Sequence, residues 1–360
     1  MIEPATIEEA AVVIAAGTAA GRPVQFRGAG TKSPDAPADA VSTVRLSRVL
    51  EHRPADLFVT VEAGHPLDAL NERLRDDHLR VALDPPWYGG RATVGGILAA
   101  GDAGPLRLSC GSPRDQVLGM TLILPGGAIV RSGGRVMKNV AGYALHRAAV
   151  GSGGRFGLIA AVSLRLRPCP AALRVVRMTV ADAAAADVRT AALLAGSTRP
   201  AFLEWVCPAL DDRAGEEDPA GIELWIGYEG DADAVDWQCN ALRGDFPDAR
   251  ILDAAEDQRV YRRLRDWGAR ASLRAALPSS NLGPVFSAGR DAGVRLLAHA
   301  CTATLLVHAD DPAAVEPVAQ SVRDAGGTIL APRAPADAAP PGHDMLRRRL
   351  IDTLTTAAAT

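Results

Sequence analysis

Residues 88–107 read Y-G-G-R-A-T-V-G-G-I-L-A-A-G-D-A-G-P-L-R, and the same character continues to Pro168. G-S-P-R-D-Q-V-L-G follows at 111–119, G-G-R-V-M-K-N-V-A-G-Y-A-L-H-R at 133–147 and G-S-G-G-R-F-G-L-I at 151–159. Glycines come in short clusters separated by apolar runs such as Gln116–Leu124. Glycine permits positive φ and lets main-chain N–H groups approach a ligand closely. Several such loops in one segment predict backbone wrapped around something large, flat and anionic. A dinucleotide cofactor fits that description.

Upstream, P-V-Q-F (23–26) reads as a short buried strand that ends in R-G-A-G-T-K, Arg27–Lys32. Backbone N–H groups, a hydroxyl and a cation on one loop make an anion cradle. A polar turn between two strands accounts for this motif equally well when it is taken alone. Residues 4–20 predict a helix, with Thr6 as N-cap and Glu9 at capping-box spacing. The runs 41–46 and 56–64 are strand-like, and Pro66–Leu74 has helical spacing with Pro66 in the first turn. A-T-V-G-G-I-L-A-A-G (92–101) is expected to begin as a glycine-rich turn and continue as small residues that let a cofactor lie against the main chain, with tight helix-on-sheet packing as a compatible reading. Residues 114–131 predict strand, turn, strand about Pro125-Gly126-Gly127. An Arg114–Asp115 ion pair is the plain reading of that dipeptide. Trp87 and Tyr88 are candidates to flank a planar ring, with core packing as the simpler account of either.

Composition narrows the function. The 360 residues are 48% hydrophobic and 22% charged, long enough for two domains. A net charge of −3 gives no reason to expect nucleic acid as a partner. No apolar run is long enough to span a membrane, and the acidic N-terminus does not resemble a secretory signal. Cys110, Cys169, Cys207, Cys239 and Cys301 are scattered, without C-x-x-C, so neither a disulfide framework, a metal site nor a Cys-ligated cluster is expected. A reduced, cytoplasmic protein is the expectation.

In this order and spacing, R-G-A-G-T-K, A-T-V-G-G, G-S-P-R-D-x-V-L-G, V-M-K-N-V-A-G-Y and G-S-x-G-x-x-G-L-I resemble the FAD-binding domain of the vanillyl-alcohol-oxidase, or p-cresol-methylhydroxylase (PCMH), type. The resemblance covers roughly residues 20–170. Within that family, V-M-K-N-V-A-G-Y is most similar to FAD-binding subunits of glycolate oxidase. It implies an α+β, two-subdomain FAD-binding domain over 1–170; the pattern beyond reads as a separate α+β cap domain over 171–335 and a tail or helix over 336–360. It further implies that Arg27, Gly28, Ala29, Gly30, Thr31 and Lys32 hold the pyrophosphate with Thr93, Val94, Gly95 and Gly96. Gly101, Gly104, Ser112 and Asp115 would lie along the ribityl and ring side. Lys138, Asn139, Gly142 and Tyr143 would line the flavin pocket, and Gly157, Leu158 and Ile159 would meet the adenosine end. Ala144 stands where the family often has Asp, and Arg155-Phe156 replaces its usual Thr-Leu. No His follows Gly30, so FAD is expected to bind non-covalently. The family's C-terminal D-P-x-x-x-x-N-P-G-R stretch is missing.

Beyond residue 171, strand and helix patterns alternate: strands at 174–180, 201–206, 221–230 and 302–309, and helices at 181–195, 232–242 and 312–327. The rhythm, repeated twice, predicts a ferredoxin-like cap. Relatives that oxidise 2-hydroxy acids share an H-G-D-G-N-x-H cluster, which this chain lacks. His299 and His308 therefore read as surface or satisfied core residues. Arg262, Arg263 and Arg265 could grip a carboxylate, with a solvated helix face or a subunit contact as the simpler account. No catalytic residue is assigned. The resemblance implies an FAD subunit working with a larger flavin subunit and an iron–sulfur subunit in oxidation of glycolate or another small 2-hydroxy acid. A stand-alone flavin dehydrogenase or oxidase and a flavin-free scaffold are the alternatives.

Overall fold

The computed structural model describes residues 1–22, 24–32, 40–134, 144–207 and 221–330. The expected tail at 336–360 and the candidates Lys138, Asn139, Gly142 and Tyr143 lie outside the described residues. The first half runs α1 (Ile7–Ala19), β1 (Phe26–Arg27), β2 (Val41–Ser42), β3 (Val49–Arg53), β4 (Phe58–Glu62), α2 (Leu67–Leu74), β5 (Leu79–Arg80) and α3 (Val94–Ala100). It continues with α4 (Arg107–Cys110), α5 (Pro113–Gln116), β6 (Val117–Ile123), β7 (Ile129–Gly133), α6 (Leu145–Ala149), β8 (Leu158–Arg165) and β9 (Arg167–Pro168). A five-stranded antiparallel sheet in the order β3-β4-β8-β6-β7 lies at its centre. Alternate residues of its strands face opposite ways. One face buries Val59, Val61, Met120 and Val162 against Leu70, Ile97 and Leu98 of α2 and α3. The other buries Ile123, Leu158 and Ala160 against Ala10 and Ile14 of α1.

Local chemistry fixes the ends of these elements. Thr6 Oγ1 accepts from Glu9 N at 3.1 Å and starts α1, while Glu9 Oε2 accepts from Ala5 N at 2.8 Å. Pro66 is the N-cap of α2. The expected strand at 41–46 shrinks to β2, which pairs in parallel with β1. A-T-V-G-G is not a turn followed by something else. It is the start of α3, because Thr93 Oγ1 accepts from Gly96 N at 3.2 Å and caps the helix there.

The second half comprises β10 (Ala172–Val180), α7 (Ala183–Ala195), β11 (Phe202–Cys207), β12 (Ile222–Gly230), α8 (Ala232–Asp245), β13 (Arg250–Ile251) and α9 (Ala254–Trp267). Then come β14 (Leu273–Ala276), α10 (Leu282–Asp291), β15 (Arg295–His299), β16 (Thr304–His308), α11 (Val315–Asp324) and β17 (Thr328–Leu330). These form one eight-stranded antiparallel sheet, β13-β10-β12-β11-β15-β16-β14-β17. The ferredoxin-like order 4-1-3-2 occurs in β10–β13 and again, mirrored, in β14–β17. The second strand of each unit, β11 and β15, pair antiparallel and weld the two into one sheet. One face packs on α7, α8, α10 and α11 around Trp205 and Phe286. The opposite face buries Phe202, Val206, Leu297 and Leu306 against α9 and against Ala82, Leu106 and Cys110 of the first half. The two halves therefore share an apolar core.

Candidate functional site

The loop after β1 carries a run of N–H donors near the glycine clusters. Among the described residues, no protein acceptor is present for the N–H groups of Gly28 to Lys32. Gly30 has φ 73°, and the Arg27 guanidinium folds back over it, leaving no room for a Cβ. Gly28 packs against the Thr93 hydroxyl so closely that a Cβ there would clash. The loop 27–32 and the start of α3 are thus brought into one cradle, as the sequence motifs anticipate. Their contributions differ. Val94 N donates to His65 O, Gly95 N to Ala63 O and Gly96 N to Thr93 Oγ1, so the first turn of α3 has its N–H groups already engaged. Free donors come from the 28–32 loop, and Thr93–Gly96 shapes the wall behind it.

Lys32 supplies the cation. Its ammonium lies 3.4 Å from Asp102 Oδ2 and 4.3 Å from the centroid of the Tyr88 ring, with no hydrogen-bond partner among the described residues. Burial lowers its pKa, Asp102 opposes that, and Arg274 adds to the lowering. Arg274 reaches over from β14: its Nη1 donates to Asp102 Oδ1 at 3.3 Å and its Nη2 to Ala103 O at 3.2 Å. Tyr88 OH also faces Asp102 Oδ2, at 3.3 Å. Sequence reasoning noticed Tyr88 but missed Asp102 and Arg274. No local pattern links positions so distant in the chain.

The remaining candidates gather around this cradle. Gly101 ends α3 in the left-handed region and packs on Gly151 of the 151–157 glycine cluster. Gly104 N donates to Asp84 Oδ1 at 3.0 Å, and Leu106 N to Asp84 Oδ2 at 2.7 Å. Asp84 is buried, which pushes its carboxyl up to about 7 although both N–H groups pull it down. Ser112 and Asp115 engage each other: Asp115 Oδ2 accepts from Ser112 N at 2.9 Å and from Ser112 Oγ at 2.6 Å. That hydrogen bond holds Asp115 below the ordinary carboxylate range. The expected Arg114–Asp115 pair gives way to it, because Ser112 occupies the carboxylate. Gly157, Leu158 and Ile159 enter β8, where both side chains are buried in the core.

Further polar pairs lie between the halves and within the second. Arg80 Nη2 pairs with Glu229 Oε1 at 2.5 Å. His299 Nδ1 lies 2.7 Å from Glu204 Oε2, both side chains are buried, and His299 Nε2 has no partner among the described residues. His299 is therefore only half satisfied, in contrast to the expectation. Burial raises the Glu204 pKa, and His299 opposes the shift. His308 Nδ1 lies 2.7 Å from Arg270 O. Among the described residues no three His, Cys, Asp or Glu side chains are placed to share a metal ion, and no helix is long and apolar enough to cross a membrane.

Comparison with known proteins bears on this geometry. Residues 1–133 match the family model described as FAD binding domain. Glycolate oxidase subunit GlcE of Escherichia coli (strain K12) is 42% identical over 130 residues, 36% of this chain and 37% of that protein. Mitochondrial D-lactate dehydrogenase [cytochrome] of Arabidopsis thaliana is 36% identical over 154 residues, 42% of this chain and 26% of that protein. The matches thus span little more than a third of these relatives at most. A solved structure of alkyldihydroxyacetonephosphate synthase superposes with a TM-score of 0.70 over 99% of this chain and 75% of that one, at 16% identity. That likeness establishes the fold. The free donors of 28–32, the ammonium of Lys32 and the glycine-tight walls suit the pyrophosphate of FAD.

Proposed function

With an FAD-binding domain over residues 1–133 as the premise, we propose that this chain is the FAD-binding subunit of a glycolate oxidase- or dehydrogenase-like complex. The domain would extend over 1–170, followed by a cap at 171–335 and a tail at 336–360. Its partners would be a larger flavin subunit and an iron–sulfur subunit, its substrate class small 2-hydroxy acids, and its location the cytoplasm. The observation that carries this reading is the run of free N–H groups at 28–32 beside Lys32, within the residues that match the FAD binding domain model, in a chain similar over 130 residues to a glycolate oxidase subunit.

FAD would supply the electron-pair acceptor. The residues of this chain hold and orient it. N–H groups 28–32 and Lys32 take the pyrophosphate, while Asp102, itself held by Arg274, fixes the ammonium of Lys32. Thr93 keeps Gly28 in place, and Lys138, Asn139, Gly142 and Tyr143 are assigned to the ring. With no His in the 27–32 loop, attachment is non-covalent. No group in this chain is assigned the substrate proton, so oxidation of the hydroxy acid falls to the larger subunit.

A flavin spectrum of the purified chain, with the colour released on acid precipitation, supports the reading. A colourless chain that also fails to take up added FAD overturns it and leaves the scaffold alternative. The likeness to a D-lactate dehydrogenase favours a second reading, a stand-alone dehydrogenase. Reduction of an artificial acceptor by the isolated chain with glycolate or D-lactate would establish that instead.

A further inference from the structure

A cleft of about 870 Å³ opens between α2 with the 80–92 segment on one side and the C-terminal end of α9 on the other. Among the described residues, none of those assigned above to FAD lines it. The volume is ample for a drug-sized ligand and far more than glycolate needs. Its walls are apolar and polar in nearly equal parts, with Leu67, Val81, Leu83, Pro85 and Pro86 on the apolar side.

Two features define what would fit. The first is Trp87, a wall residue that is 55% exposed. Its position is fixed rather than loose: its indole Nε1 donates to Asp68 Oδ2 at 2.8 Å, and its main-chain N to Asp266 Oδ1 at 2.8 Å. A large aromatic ring held at a cleft by hydrogen bonds, instead of being folded into the core, is a stacking surface for a flat partner. The second is charge. Arg80 is paired with Glu229, and Arg265 with Asp266. Asp68 and Asp266 are engaged by Trp87, and Asp84 by backbone N–H groups. Among the described residues Arg75 and Arg262 have no ion-pair partner, while the carboxylates Glu72 and Asp68 also lack one, Asp68 being held by the neutral Trp87 indole. Guanidinium groups match carboxylates in a two-pronged geometry.

We propose that this cleft binds an aromatic carboxylate, with its ring on Trp87 and its carboxylate on Arg262 and Arg75, at a site separate from the flavin. The site does not depend on the function proposed above. A chain that never takes up FAD would still show it.

Calorimetric titration of the full-length chain tests it with three probes. Phenyllactate carries both ring and carboxylate, lactate lacks the ring, and 2-phenylethanol lacks the carboxylate. Phenyllactate is expected to bind saturably, and the other two about tenfold more weakly or worse. Trp87→Ala and Arg262→Gln should each weaken phenyllactate about fivefold or more, and Trp87→Phe should restore most of the loss. The flavin absorbance of all three variants should match the parent. Lys32→Ala, aimed at the flavin loop, should leave phenyllactate binding unchanged. Absence of saturable binding, equal binding of 2-phenylethanol, insensitivity to both Trp87→Ala and Arg262→Gln, or loss of binding in Lys32→Ala would each overturn the proposal.

Discussion

Lys32 Nζ sits 3.4 Å from Asp102 Oδ2, so the cation assigned to a pyrophosphate already has a carboxylate beside it. Asp102 also serves Arg274. In Asp102→Asn, two poorly exposed cations lose their shared anion. Breaking a buried pair in this way costs about 3 kcal/mol, and the like-charge contact between Lys32 and Arg274 remains. Added FAD supplies the missing negative charge. The variant should therefore be less stable alone, yet gain more in Tm than the parent when FAD is added. Thermal melts with and without FAD check this. Equal gains would show that Asp102 and the cofactor do not share Lys32.

Glycines at two neighbouring motifs should fail differently. A Cβ at Gly28 meets only the Thr93 side chain, which can rotate if it gives up its bond to Gly96 N. Gly28→Ala should keep the fold, with a loss of about 1 kcal/mol, and bind FAD about tenfold more weakly. A Cβ at Gly157 meets the main chain of Ile123 at φ 142°. Gly157→Ala should cost about 3 kcal/mol or more, because neither backbone can yield. Denaturant unfolding and flavin titration separate the two outcomes.

Asp84 makes stability depend on pH. Its folded carboxyl is raised from 3.8 to about 7. A raised acid holds its proton in the folded state while the unfolded chain has released it, so stability falls as pH rises between those values and levels off above. The full shift corresponds to an upper limit of about 4 kcal/mol. Asp84→Asn should flatten this slope. Its deficit against the parent should be greatest in acid, where the parent carboxyl is neutral, and shrink towards neutral pH. A slope unchanged by the substitution would remove Asp84 as its source.

Glu204 and His299 stand directly opposite each other on β11 and β15. His299→Ala leaves a buried carboxylate without its partner and should cost about 3–5 kcal/mol. Replacing both residues by Leu should recover much of that, because the desolvation of two polar groups disappears with them. A double variant as unstable as the single one would mean that the pair specifies the strand register as well as its own charge balance.

Much of the first half was readable because its signals are local. The α1 cap at Thr6, the β6–β7 hairpin around Pro125-Gly126-Gly127 and the alternation of β8 each sit within a few residues. In the 92–96 stretch the expected turn is absent and the alternative of tight helix packing holds, because Gly95 lies against Ala63 and Thr93 caps the helix. Strand β15 went unnoticed because every residue from Leu296 to His299 is buried and no alternation marks it. Helix α10 was hidden by Gly283 and Pro284 in its first turn, where proline costs a helix little. At the site, the glycine loops announced themselves. Asp102, Arg274 and the Trp87 clasp did not, since tertiary folding alone brings β14 to the end of α3 and α9 to the 80–92 segment.

The junction of β11 with β15 limits how this protein can be divided. Each ferredoxin-like unit donates its outermost strand to the other, so neither has a finished border of its own. Cut between β13 and β14, each piece would bare a row of unsatisfied main-chain groups flanked by apolar side chains, Leu203 and Trp205 on one and Leu296 and Ala298 on the other. Such rims recruit whatever strand is nearest. Expressed apart, the fragments should precipitate or pair with their own kind. Expressed together, they should find each other, with the join serving as a ready-made point of reassembly.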